Sequence, residues 1–182
     1  MRRSTIALGT AALALAVALV PSPSRTQAPA LESFAGTYVL AGDRRELTSM
    51  DDAINRVVDR MNLFIREIAR GEIHRRIEPE QRIRIALRGA QTLALSLDEW
   101  GPVEVAVGGA PLRTRGSTGE NVALTVRYGG GRLVAHSATP RGSRTNVFSL
   151  SADGERLLMS VRITSDQLPD HIRYRLTYRR AD

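Results

Sequence analysis

The chain has 182 residues, 42% of them hydrophobic and 25% charged, an ordinary globular composition. It has no cysteine, which excludes disulfides, thiolate metal sites, a cysteine nucleophile and a lipid-modified N-terminal cysteine. The net charge of +7 rests wholly on arginine, with no lysine among the 26 basic residues, and aromatics are 4% of the chain, too few for a nucleic-acid stacking platform.

Residues 1–30 have the three parts of a secretory leader: Arg2 and Arg3, an apolar run over 6–20, and the small-residue triplet Ala28-Pro29-Ala30. Cleavage is expected after Ala30, leaving a periplasmic or secreted product that does not span a membrane. An uncleaved anchor is the alternative, but the run falls short of the roughly twenty residues that a span requires. With Arg2, Arg3 and Arg25 removed, 23 arginines face 19 acidic residues, a mild excess. Residues 31–182 form one domain's worth of chain.

The segment 34–40, Phe-Ala-Gly-Thr-Tyr-Val-Leu, predicts a first strand. The period then changes. From Ser49 the apolar residues Met50, Ile54, Val57, Val58, Met61, Phe64, Ile65 and Ile68 recur at spacings of three and four, which predicts one amphipathic helix. Ser49 with Asp52 resembles a capping box. Gly71 is expected to end or break the helix, and Pro79 to stop helical structure, so the helical region covers about 48–77.

After Pro79 the pattern is strand and tight turn to the end. Ile83, Ile85 and Leu87 alternate with arginines, followed by Leu93, Leu95 and Leu97, then Val103, Val105 and Val107, then a short strand over 112–115. Residues 121–180 read as further antiparallel strands with alternate apolar side chains: Val122, Leu124, Val126 and Tyr128; Leu157, Met159, Val161 and Ile163; Ile172, Tyr174, Leu176 and Tyr178. The intervening strands are predicted over 132–138 and 143–150. Ten strands result, one before the helix and nine after it.

This layout resembles the fatty-acid-binding-protein branch of the calycins. Phe34-Ala35-Gly36-Thr37-Tyr38 is similar to that family's opening Phe-x-Gly-Thr-Trp, with Tyr for Trp, and residues 174–180 resemble its closing strand. The resemblance implies a mainly β, up-and-down antiparallel barrel of about ten strands, with the helix over one open end. The competing arrangement is a strongly curved open sheet gripping the helix. In the family the closing strand carries an Arg-x-Tyr pair that binds the ligand's carboxylate. Tyr178 matches the Tyr, but the Arg position holds Leu176, so that anion anchor is expected to be absent.

The interior is the leading candidate site. Val122, Leu124, Tyr128, Phe148, Met159, Tyr174, Leu176 and Tyr178, with Met61 and Phe64 from the helix, would line a cavity for a small apolar or amphipathic molecule. The same side chains could instead simply fill the core, leaving an envelope interaction or inhibitor protein that acts through loops or an outer face. Arg156, Arg162, Arg173, Arg175 and Arg179 alternate with the inward residues and would form a basic outer face able to meet an anionic envelope surface. No cofactor is implied. His74, His136 and His171 lack metal-ligand spacing, no Gly-x-Ser-x-Gly elbow occurs, and the acidic group Asp98, Glu99 and Glu104 surrounds a turn, so a non-enzymatic binding protein is expected.

Overall fold

The computed structural model describes residues 29–181. Apart from its last two residues, the leader expected over 1–30 lies outside the described residues. A single 3-10 turn, Leu31–Phe34, precedes β1 (Gly36–Leu40), α1 (Arg44–Val58) and α2 (Leu63–Arg76). Nine strands follow: β2 (Arg82–Gly89), β3 (Thr92–Leu97), β4 (Trp100–Ala106), β5 (Leu112–Arg115), β6 (Asn121–Gly129), β7 (Arg132–Thr139), β8 (Gly142–Leu150), β9 (Arg156–Ser165) and β10 (Ile172–Arg180).

The ten strands form one antiparallel sheet in the order β4-β3-β2-β1-β10-β9-β8-β7-β6-β5. Every sequential hairpin from β5 onward pairs with its neighbour, and β1 joins β2 to β10. The sheet curls into a nearly closed barrel whose two ends, β4 and β5, meet at a seam. There the backbone N–H of Gly108, just after β4, donates to the Val126 carbonyl at 2.7 Å, and Val107 bridges Val126. Trp100 closes the seam from the side: its indole N–H donates to the Arg115 carbonyl of β5 at 2.7 Å.

Period-two alternation sets the inward rows. Leu157, Met159 and Val161 of β9 lie opposite Tyr178, Leu176 and Tyr174 of β10, and all six are buried. Each apolar side chain fully removed from water contributes about 1.5–3 kcal/mol, so a one-residue slip, which would turn a whole row outward, is strongly disfavoured. The β6–β7 hairpin fixes its register with Gly130 and Gly131, both at positive φ (57° and 70°), as a two-residue turn of this hand requires.

The helical region departs from the expected single helix. It starts at Arg44, not at Ser49, because Asp43 is the N-cap: its backbone is extended and its carboxylate accepts from the Glu46 N–H at 3.0 Å. Ser49 and Asp52 lie inside α1. Glu46 instead ties the helix to the barrel, its carboxylate accepting from the Thr177 N–H (2.8 Å) and hydroxyl (2.6 Å) on β10. The break comes at residues 59–62, not at Gly71. Asn62 opens a new helix by accepting from the Phe64 N–H at 3.0 Å, whereas a side chain at Gly71 would meet open space, so nothing forces a turn there.

α1 buries Met50, Ala53, Ile54, Val57 and Val58 against the barrel. α2 buries none of its residues and is held to α1 by Arg70, which donates to Asn55 and Asp59. α1 and α2 lie between β1 and β2 in the chain, so they cover the end of the barrel at which β2, β8 and β10 begin.

Candidate functional site

The structure sorts the predicted lining into three groups. Val122, Leu124, Phe148, Met159, Tyr174, Leu176 and Tyr178 are buried inside the barrel. Tyr128 and Met61 are half-buried and pack on the core; the Tyr128 hydroxyl donates to the Pro29 carbonyl. Phe64 belongs elsewhere: on α2 it is 92% exposed, and Leu63, Ile65 and Ile68 are exposed beside it, so it does not line the interior. The helix break explains this, since α2 starts in a new orientation after Asn62 and its apolar residues no longer continue the buried face of α1.

The two ends of the interior differ in chemistry. At the end away from the helices, Arg180 on β10 is fully engaged. Its guanidinium donates to the carbonyls of Gly154 (3.2 Å), Ala35 (2.7 Å) and Ser33 (2.9 Å) and to the Tyr38 hydroxyl (2.7 Å), and it lies 4.9 Å over the Tyr38 ring. The Tyr38 hydroxyl donates in turn to the Phe34 carbonyl at 3.1 Å, and Phe34 meets Tyr128 edge to face at 6.2 Å. This end is a plug.

At the helical end a second arginine points inward. Arg144, the third residue of β8, lies on the same face as Asn146 and Phe148 and is paired in register with Ile163 of β9. Its Nη2 sits 2.5 Å from Glu80 Oε1, and its Nε donates to Asn146 Oδ1 at 3.0 Å. Glu80 comes from the connection between α2 and β2 and is buried. Asp98, at positive φ (51°), positions it: the Asp98 carboxylate accepts from the N–H groups of Gln81 (3.1 Å) and Arg82 (2.7 Å), the two residues after Glu80.

Around this pair are buried polar atoms with no hydrogen-bond partner among the described residues: Glu80 Oε2, Tyr174 Oη and Tyr178 Oη. Such groups are rare because each costs on the order of 1–3 kcal/mol. Burial works against the Arg144 charge, but Glu80, Tyr174 and Tyr178 together outweigh it and hold the guanidinium pKa above its ordinary value. Burial pushes the Tyr174 hydroxyl up to about 12, with Arg144 opposing and Glu80 adding. Burial first and Glu80 second push Tyr178 higher still. Both tyrosines are therefore un-ionised hydroxyls at neutral pH.

The expected anion anchor on the last strand is indeed replaced by buried Leu176, but a guanidinium enters the interior from β8 instead. Sequence reasoning missed it. The only signal was its parity with Phe148 in an otherwise polar strand.

The predicted outer arginines are also placed. Arg162, Arg173 and Arg175, with Thr145, Val147 and Ser160, line a cleft of about 610 Å³ on the outer wall. Arg173 stands directly opposite Arg162, and Arg179 opposite Arg156. A smaller cleft of about 200 Å³, lined by Arg84, Arg88 and Ser96 among others, lies outside β2 and β3. The histidines lie apart: His74 contacts Asn55 and Asp51 on α1, and His136 contacts Thr145 on the outer wall. Among the described residues no cluster of three metal-ligating side chains occurs.

No protein-family model and no curated sequence matches the chain. Its fold matches solved structures. Lipid binding protein 8 of Caenorhabditis elegans is 13% identical at a TM-score of 0.51, covering 83% of this chain and 97% of its own. Fatty-acid-binding protein 1 of Echinococcus granulosus is 12% identical at 0.50, covering 84% and 100%. An abundant heat soluble protein of Ramazzottius varieornatus is 12% identical at 0.52, covering 82% and 96%. The architecture is thus a calycin-type barrel like those of the fatty-acid-binding branch, and at these identities the likeness is one of fold.

Proposed function

We propose that the protein is an exported, non-enzymatic binding protein that holds a small amphipathic molecule inside the barrel. The polar end of the ligand sits among Glu80, Arg144, Tyr174 and Tyr178, and the apolar remainder runs along Leu176, Met159 and Leu124. One observation carries this reading: an apolar interior contains buried hydroxyl and carboxylate oxygens that the described residues leave unpaired. A purely structural core has no use for them. Structural neighbours whose names record lipid or fatty-acid binding support the same reading.

Access is at the helical end, since the other end is plugged by Phe34, Tyr38 and Arg180 and the seam is stitched by Trp100. Opening there must release Glu46 from Thr177 and an exposed ion pair, Arg60 to Asp170 at 2.8 Å, of a kind worth at most about 1 kcal/mol, and must also lift the buried apolar face of α1 off the barrel. Native mass spectrometry of protein purified from its own host tests the proposal. The expected result is a non-covalent small molecule lost on unfolding; bare polypeptide mass from repeated preparations contradicts it.

A second reading rests on the outer cleft. Arg162 and Arg173 face each other across β9 and β10, an arrangement that is unfavourable unless an anion relieves it, which supports contact with an anionic envelope surface. Salt-sensitive co-sedimentation with anionic vesicles, lost when Arg162, Arg173 and Arg175 are changed to Gln, is the expected result. Equal sedimentation of wild type and variant removes this reading.

A further inference from the structure

We infer that the interior site selects a ligand with a neutral head group that both donates and accepts hydrogen bonds, such as a primary amide or alcohol, and discriminates against a carboxylate. The inference rests on the carrier reading above and specifies its ligand class.

Charge and donor count set the ligand class. Arg144, half-buried, is the cation of the cluster, and buried Glu80 already neutralises it at 2.5 Å, so the pair has no net charge. A carboxylate brought in beside it would place a second anion next to Glu80 in a water-poor interior, with no free cation to meet it. Burial of an uncompensated charge is among the most unfavourable events in a protein.

The unpartnered atoms instead describe a neutral guest. The two tyrosine hydroxyls are free donors and Glu80 Oε2 is a free acceptor, while Arg144 Nη2 is already taken up by Glu80 Oε1. A primary amide offers a carbonyl to the donors and an N–H to the carboxylate, and an alcohol offers its oxygen and its proton in the same way. Position matters as well as inventory. Tyr174 and Tyr178 are four residues apart on one face of β10, so they line one side of the site. Asp98 fixes the backbone that carries Glu80, and the Arg144 to Asn146 bond fixes the guanidinium. The pair is therefore held in place on both sides, and a ligand anion would have to displace a positioned carboxylate to reach Arg144.

The test uses full-length exported protein stripped of small molecules. It is titrated calorimetrically with the acid, primary amide and alcohol of one straight-chain and one ring-bearing hydrocarbon, in the wild type and in Glu80→Gln. The wild type is expected to bind the amide and the alcohol at least tenfold more tightly than the acid. Glu80→Gln frees the guanidinium and is expected to reverse that order. If Glu80→Gln does not fold, Tyr178→Phe serves in its place. It removes a donor without changing charge and is expected to weaken amide and alcohol binding by about tenfold. Tighter binding of the acid by the wild type overturns the inference and leaves the carrier reading standing. An unchanged order in Glu80→Gln, or unchanged affinity in Tyr178→Phe, likewise overturns it. Failure of all six compounds to bind the wild type counts against the carrier reading itself.

Discussion

Two arginines enter the barrel, one at each end, and their surroundings differ in a way that separates structure from site. Arg180 meets three backbone carbonyls, a tyrosine hydroxyl and an aromatic face. Every partner is supplied by the fold. Arg144 meets one carboxylate and one amide, and the polar atoms around it lack partners among the described residues. Burying a charge is tolerable only when it is fully paired, so the first arrangement is a rivet that closes the barrel. The second is strained unless something else completes it. The same residue type in the same fold is thus read oppositely according to how completely its neighbours satisfy it.

That contrast can be broken most forcefully at the plug. Arg180→Leu removes four hydrogen bonds at once, three of them to backbone carbonyls at the barrel end, and an equilibrium denaturation experiment should show a loss of about 3–4 kcal/mol. At the other end, Arg144→Met leaves the Glu80 carboxylate buried and alone, with an expected loss of about 3 kcal/mol. Adding Glu80→Gln to that variant should recover most of it. A double variant no more stable than the single would show that the pair is not coupled.

The tyrosines at the helical end give a pH signature. The folded state holds the Tyr174 pKa up at about 12 against an ordinary 10.0. The stability this contributes is therefore complete below pH 10 and lost as the pH rises through 12, where the unfolded chain ionises first. The loss reaches about 3 kcal/mol. Alkaline titration followed by ultraviolet absorbance should show buried tyrosines ionising only near that upper limit; tyrosines all titrating near pH 10 would place them in water. At the seam, Trp100→Phe keeps the ring but removes the bond to the Arg115 carbonyl. It should cost about 1 kcal/mol and speed amide exchange in β4 and β5 relative to β8 and β9.

Much of this fold was legible because period-two alternation is a local signal, and the inward rows of β6, β9 and β10 follow it without interruption. The helical region was less so, for identifiable reasons. Asp43 and Ser49 both present cap chemistry, and only the backbone conformation at Asp43 decides between them. The three-and-four spacing continues through residues 59–62, so nothing apolar marks the point where Asn62 starts a second helix. Phe64 illustrates the consequence, since apolarity does not say which way a helix faces after a break. The site was least legible. A charged residue in an inward row contradicts the very pattern used to find the row, and its partner Glu80 comes from a connection far away in the chain. Trp100 sits between Glu99 and Glu104 in what reads as a turn, and no sequence pattern says which two strands of a meander will be left at the seam it closes.

The central claim, that one end of the interior is complete and the other is built to be completed, is tested most directly by a single pair of substitutions measured in ligand-free protein. Tyr38→Phe removes a hydroxyl that is bonded to Phe34 and Arg180 and should destabilise the protein by about 1 kcal/mol. Tyr178→Phe removes one with no partner among the described residues and should leave stability unchanged or raise it by up to about 1 kcal/mol. Equal losses at the two positions would show that the Tyr178 hydroxyl is already satisfied in the folded protein and would contradict the account.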